Sequence, residues 1–133
     1  MIEFEGLLGH PPANSIKAGL WRKTGMWKSL VDLWELDELV AKVIVDRSDR
    51  LGQMIDIITT QPAEFAEALE ERLENEDITV RRVWSFEPRK LARRVEFMRH
   101  VAAVYTTSPH RALLYGKKGR HVIPENITKI GLF

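Results

Sequence analysis

Apolar positions along this chain fall into short runs and helical stripes, separated by polar breaks marked with proline or glycine. The most informative run is Val104-Tyr105-Thr106-Thr107-Ser108-Pro109-His110, in which apolar residues empty into hydroxyls and a proline. This is the pattern of a buried strand passing into a helix start. Ser108 can cap, and Pro109 fits the first helical position, where its missing N–H has no intrahelical partner. Ile57-Ile58-Thr59-Thr60-Gln61-Pro62 repeats the phrase. Two strand ends of one design predict a polar rim at the carboxyl edge of a parallel sheet, where open α/β folds bind ligands.

The remaining elements follow from the same reading. Residues 1–8 predict a strand and 9–15 a loop, with a brief helical turn near 17–21. Trp27, Leu30, Val31, Trp34, Leu39, Val40, Val43 and Ile44 predict a helix over 26–45, although β-branched 41–45 would also suit a strand. Residues 46–52 read as a polar break that Gly52 terminates. Strands follow at 53–60, 78–86, 101–107 and 121–123, and helices at 62–76, 88–100 and 109–118. Each crossover is long enough to return parallel. The expected fold is a single α/β domain over 1–133, a Rossmann-like three-layer sandwich with a central, mostly parallel five-stranded sheet. An irregular tryptophan-rich segment falls at about 9–35. The tail 124–133 is expected to dock through Ile127, Ile130, Leu132 and Phe133.

Composition changes this picture in two ways. There is no cysteine, which removes disulfides and thiolate chemistry. No apolar run reaches the roughly 18 residues of a membrane span, and no signal-peptide layout opens the chain, so a soluble cytoplasmic protein is expected. The net charge of +1 conceals an asymmetry: residues 32–77 hold 14 acidic and 4 basic side chains, residues 81–120 hold 2 acidic and 11 basic. The basic half could contact nucleic acid, or it could pair with the acidic helix at 62–76.

Glu3-Phe4-Glu5-Gly6-Leu7 resembles the first motif of the haloacid-dehalogenase-like superfamily, a strand ending in Asp-x-Asp-Gly-Thr. The resemblance implies that the family's second motif, a Thr or Ser ending a core strand, falls on Thr59 or Thr60. Its later Lys or Arg falls on Lys90 or Arg89, and its final acid pair on Thr106 and Thr107, with His110 shortly after. The departures from the family carry chemical weight. Glu3 and Glu5 replace the nucleophilic and the acid–base aspartates, and an added methylene moves the attacking oxygen by about 1.5 Å. A misplacement of about 1 Å can cost a hundredfold in rate. Two threonine hydroxyls supply no charge for Mg²⁺, which would matter only to residual phosphatase-like activity. The resemblance therefore implies a degenerate member, a ligand-binding or regulatory pseudo-phosphatase. Its anionic ligand would meet Thr59, Thr60, Lys90, Thr106, Thr107 and His110.

Blander readings stand beside these. Glu3 and Glu5 could face solvent on an edge strand, and the threonines could satisfy loop backbone. Lys90 and the basic turn Gly116-Lys117-Lys118-Gly119-Arg120 could be solvated surface. The four histidines show no metal spacing, and neither a phosphate loop nor a nucleophile elbow is present. No cofactor is expected. The alternative function is an interaction module, meeting a partner protein or a second copy through Trp21, Trp27 and Trp34, or through the basic face. Nucleic-acid binding is a weaker third.

Overall fold

The computed structural model describes residues 1–123 and Glu125. The elements, in order, are β1 (Ile2–Glu3), β2 (Gly9–His10), α1 (Ser15–Thr24), α2 (Trp27–Leu33), β3 (Glu35–Leu36), α3 (Glu38–Leu51) and β4 (Asp56–Thr59). They continue with α4 (Ala63–Asn75), β5 (Arg82–Ser85), α5 (Leu91–Glu96), β6 (Val104–Thr106), α6 (Pro109–Leu114), a 3-10 turn (Gly116–Lys118) and β7 (Gly119–His121). The tail residues expected to dock lie outside the described residues.

Five strands form one sheet in the order β5-β4-β1-β6-β7, every pairing parallel. Because side chains alternate across a strand, neighbours on β4 feed different cores. Ile57 joins a large cluster with Ile2, Phe65, Leu69, Val40 and Ile44, under α2, α3 and α4. Ile58 joins a smaller one with Leu91, Val95, Val104 and Tyr115, under α5. Helices thus flank the sheet, and the α/β, five-stranded parallel expectation holds. Among the described residues no helix is long and apolar enough to cross a membrane.

The strand expected over 1–8 is shorter than its apolar pattern. Its extended part ends at Glu3, and residues 4–8 turn, with the Gly9 N–H donating to the Phe4 carbonyl at 2.8 Å. The expected loop at 9–15 contains β2, which pairs antiparallel with β3. That pairing also divides the helix expected over 26–45. The periodicity is real, but Asp37 begins a new helix by accepting the Val40 N–H at 3.0 Å, while Trp34 turns extended. The Asp37 N–H in turn donates to the Leu8 carbonyl. Residues 46–51 are helical rather than a polar break, and Gly52 ends α3 at φ 64°, a left-handed geometry that favours glycine.

The helix expected over 88–100 is confined to α5. Beyond it the Lys118 ammonium donates to the carbonyls of Val95, Glu96 and Met98 at 2.8–3.1 Å. These are chain-end acceptors that would otherwise need another partner.

Candidate functional site

The two threonine doublets end β4 and β6 on the same edge of the sheet, with β1 between them. They are built alike. The Thr59 hydroxyl accepts the Gln61 N–H at 3.1 Å and donates to the Glu5 carboxylate at 2.5 Å. The Thr106 hydroxyl accepts the Ser108 N–H at 3.1 Å and donates to the Glu3 carboxylate at 2.5 Å. Each doublet therefore satisfies loop backbone and binds one of the two glutamates that β1 and its turn deliver. Ser108 caps α6 through the Arg111 N–H, with Pro109 in the first turn, as the sequence pattern requires.

Glu3 is 4% exposed, and both of its oxygens are engaged. Thr106 donates to Oε1, the Tyr115 hydroxyl donates to Oε2 at 2.5 Å, and the Arg111 Nε lies 3.0 Å and 2.9 Å from the two oxygens. A carboxylate at this depth persists only because it is paired and hydrogen-bonded. Burial pushes the Tyr115 phenol well above its ordinary value, and its bond to Glu3 adds to that. Tyr115 is therefore a fixed donor.

Glu5 is half-buried; its Oε1 accepts the Thr59 hydroxyl and the Thr60 N–H. Between the glutamates lies a cavity of about 20 Å³, lined by Glu3, Glu5, Ile58, Thr59, Thr60, Leu91 and Arg111. That is room for roughly one water.

Thr107 stands against Gly6 on the same rim. Gly6 has φ 85°, and a Cβ there would lie 2.9 Å from the Thr107 Oγ1. A side chain at position 6 would strain the backbone and crowd the threonine at once.

The remaining sequence candidates do not converge on this rim. Lys90 precedes α5, is 61% exposed at its side chain, and lies 3.7 Å from the Glu87 carboxylate. Arg89 and His110 are exposed. Pro109 and Ser108 fix the direction of the first turn of α6, and it is Arg111, not His110, that reaches Glu3. Arg111 and Tyr115, four residues apart at α6 and its cap, are the site residues that sequence reasoning missed. Their i,i+4 spacing after a capped start was the available signal.

The residues present do not fit a magnesium ion. Donors take up both Glu3 oxygens, and the strand-end side chains beside the glutamates, Thr59 and Thr106, are neutral hydroxyls. Among the described residues no cluster of three or more His, Asp or Glu is arranged to hold a metal.

A second polar cluster, also unforeseen, lies at the opposite edge of the sheet. Asp56 opens β4 with 5% exposure and receives two bonds of 2.6 Å from Arg81. The Trp84 indole N–H reaches it at 3.2 Å, and the His100 Nε2 lies 2.8 Å away. A cleft of about 610 Å³ adjoins it, walled by Met1, Met54, Ile55, Val101 and Tyr105 among others. Burial raises the Asp56 carboxyl, but the bonds from Arg81, His100 and Trp84 outweigh it and hold the group below its ordinary value of 3.8.

Fold and site together define an α/β domain with a parallel sheet and a carboxylate–hydroxyl rim at its carboxyl edge. No family model matches the chain, and no curated protein or solved structure matches it.

Proposed function

We propose that the chain is a catalytically degenerate haloacid-dehalogenase-like domain, a pseudo-phosphatase that serves as a binding or regulatory module. Residues from three of the motifs in that resemblance lie at one rim: Glu3 from β1 and Glu5 from the turn after it, Thr59 from β4, and Thr106 from β6. The observation that carries the loss of turnover is the state of Glu3. The group at the nucleophile's position is held on both oxygens by Thr106, Arg111 and Tyr115, beside a space of about one water. An in-line attack on phosphorus needs a free oxygen and an open approach.

Incubation with para-nitrophenyl phosphate and Mg²⁺ is expected to give no turnover above a buffer control. Release of nitrophenolate that Glu5→Gln abolishes would overturn the proposal.

One observation favours the interaction-module reading as well. Of the tryptophans, Trp34 is core, and Trp21 and Trp27 are half-buried against it. The helix that carries Trp21, α1, buries none of its residues and leaves Ile16 86% and Leu20 58% exposed on one face. A second copy docking there would appear as a dimer in light scattering that Ile16→Ser with Leu20→Ser returns to monomer. A monomer at every concentration would remove that form of the reading.

A further inference from the structure

The basic half of the chain has two possible fates by sequence, neutralisation by the acidic helix or exposure. The structure separates them. The acidic face of α4 turns elsewhere: Glu71 pairs with Lys28, Glu70 accepts the Val83 N–H, and Glu76 pairs with Arg72 of its own helix. No glutamate of α4 forms an ion pair with an arginine of α5 among the described residues. The arginines on the outer side of α5 are therefore not neutralised by α4.

Arg93 and Arg94 of α5, with its flanking residues Lys90 and Phe97, line a surface groove of about 400 Å³. Their spacing is i, i+3, i+4 and i+7, so they project from one side of the helix. The opposite side is anchored by Leu91 and Val95, which are buried in the smaller core. Arg93 and Arg94 are exposed and form no ion pair among the described residues, and Lys90 has only the long contact with Glu87. Beside these cations, one turn beyond Arg93 and Arg94, stands Phe97, an aromatic ring left 70% exposed to water. A solvated helix face has no use for that ring, and an acidic peptide would need only the cations. An aromatic face flanked by cations is what an unpaired base and its neighbouring phosphates require.

We infer that the Lys90–Arg93–Arg94–Phe97 face of α5 binds single-stranded nucleic acid. The three cations contact phosphates, and Phe97 stacks on one base. The contacts read backbone charge and a base face, so binding is tolerant of sequence. This surface lies outside the strand-end rim and does not rest on the pseudo-phosphatase reading.

The test is fluorescence anisotropy of labelled 12-nucleotide oligo-dT and oligo-rU with the full chain, from 50 to 300 mM NaCl. Three phosphate contacts at about 0.7 counterion each predict a log–log salt slope near −2. Arg93→Ala with Arg94→Ala is expected to weaken binding at 50 mM and to flatten the slope by about 1.4. Phe97→Ala is expected to weaken it ~5-fold or more, with the slope unchanged, because stacking releases no counterion. Thermal melts establish that each variant is folded. Phe97→Leu, which keeps bulk and loses the ring, serves in place of Phe97→Ala if that variant unfolds. Three results would each overturn the inference: no binding at 50 mM, wild-type affinity without the ring, or competition by polyglutamate as effective as by unlabelled oligo-dT. The last would assign the face to an acidic protein.

Discussion

Glu3→Ala is expected to cost about 3 kcal/mol of folding stability, the low end of the range for removing one partner of a buried ion pair. Truncation leaves the Tyr115 and Thr106 hydroxyls buried without their acceptor, since both residues are at most 7% exposed. Each such orphan costs roughly 1–3 kcal/mol. Arg111 adds less, because its side chain is 38% exposed and can turn to water. Ordinary domains have about 5–15 kcal/mol in total, so the variant would lose a large share of its stability. Glu5→Ala removes a half-exposed acceptor and should cost about 1 kcal/mol. Urea denaturation of the two variants measures the difference. Equal losses at both positions would mean that the Glu3 network does not hold α6 and β6 to β1.

At the other edge of the sheet, Asp56→Asn is expected to cost about 2 kcal/mol at pH 7, discounted from the buried-pair range because Arg81 is 44% exposed at its side chain. This loss depends on pH in a definite direction. The Asp56 carboxyl ionises below its ordinary value of 3.8 when folded, so the unfolded chain binds the proton more readily. Its contribution is complete above that ordinary value. It declines as the pH falls through 3.8 towards the depressed folded value, and it is gone below that. Thermal melts followed by circular dichroism should show the wild type losing its advantage over Asp56→Asn between neutral pH and about pH 3. A constant difference in melting temperature across that range would show that Asp56 does not titrate as the network requires.

Much of this architecture was legible because its signals are local. The Ser108–Pro109 start, the Gly52 stop, the apolar stripe of α4 and the twin threonine ends each rest on a few adjacent residues. What escaped depended on distance. Periodicity from Trp27 to Ile44 could not show the break, since β3 exists only by pairing with β2, about 26 residues earlier in sequence. At the rim, Thr59 and Thr106 could be placed as strand ends, whereas Glu3 and Glu5 stood out only through the motif they resemble, with a solvent-facing position left open. Arg111 was harder to see, because His110 beside it has the more conspicuous chemistry and only the helix phase, carried by the i,i+4 spacing to Tyr115, decides which of the two turns inward. Asp56 was passed over inside an apolar run, where an acid signals a partner from elsewhere in the chain. Arg81 and His100, 25 and 44 residues away, are those partners.

The central strand has a consequence for how the molecule assembles. Ile2 is matched with Ile57 on one side and with Tyr105 on the other, 55 and 103 residues further along. Loops of that span must close before the middle of the sheet gains any bond, and non-local closure of this kind slows folding. Helices such as α4 can form from neighbours alone, whereas β1 has no strand partner until a distant segment arrives, and is complete only with both. The seam that binds the two halves of the sheet is thus set late, and a chain interrupted before Tyr105 has no means of completing it.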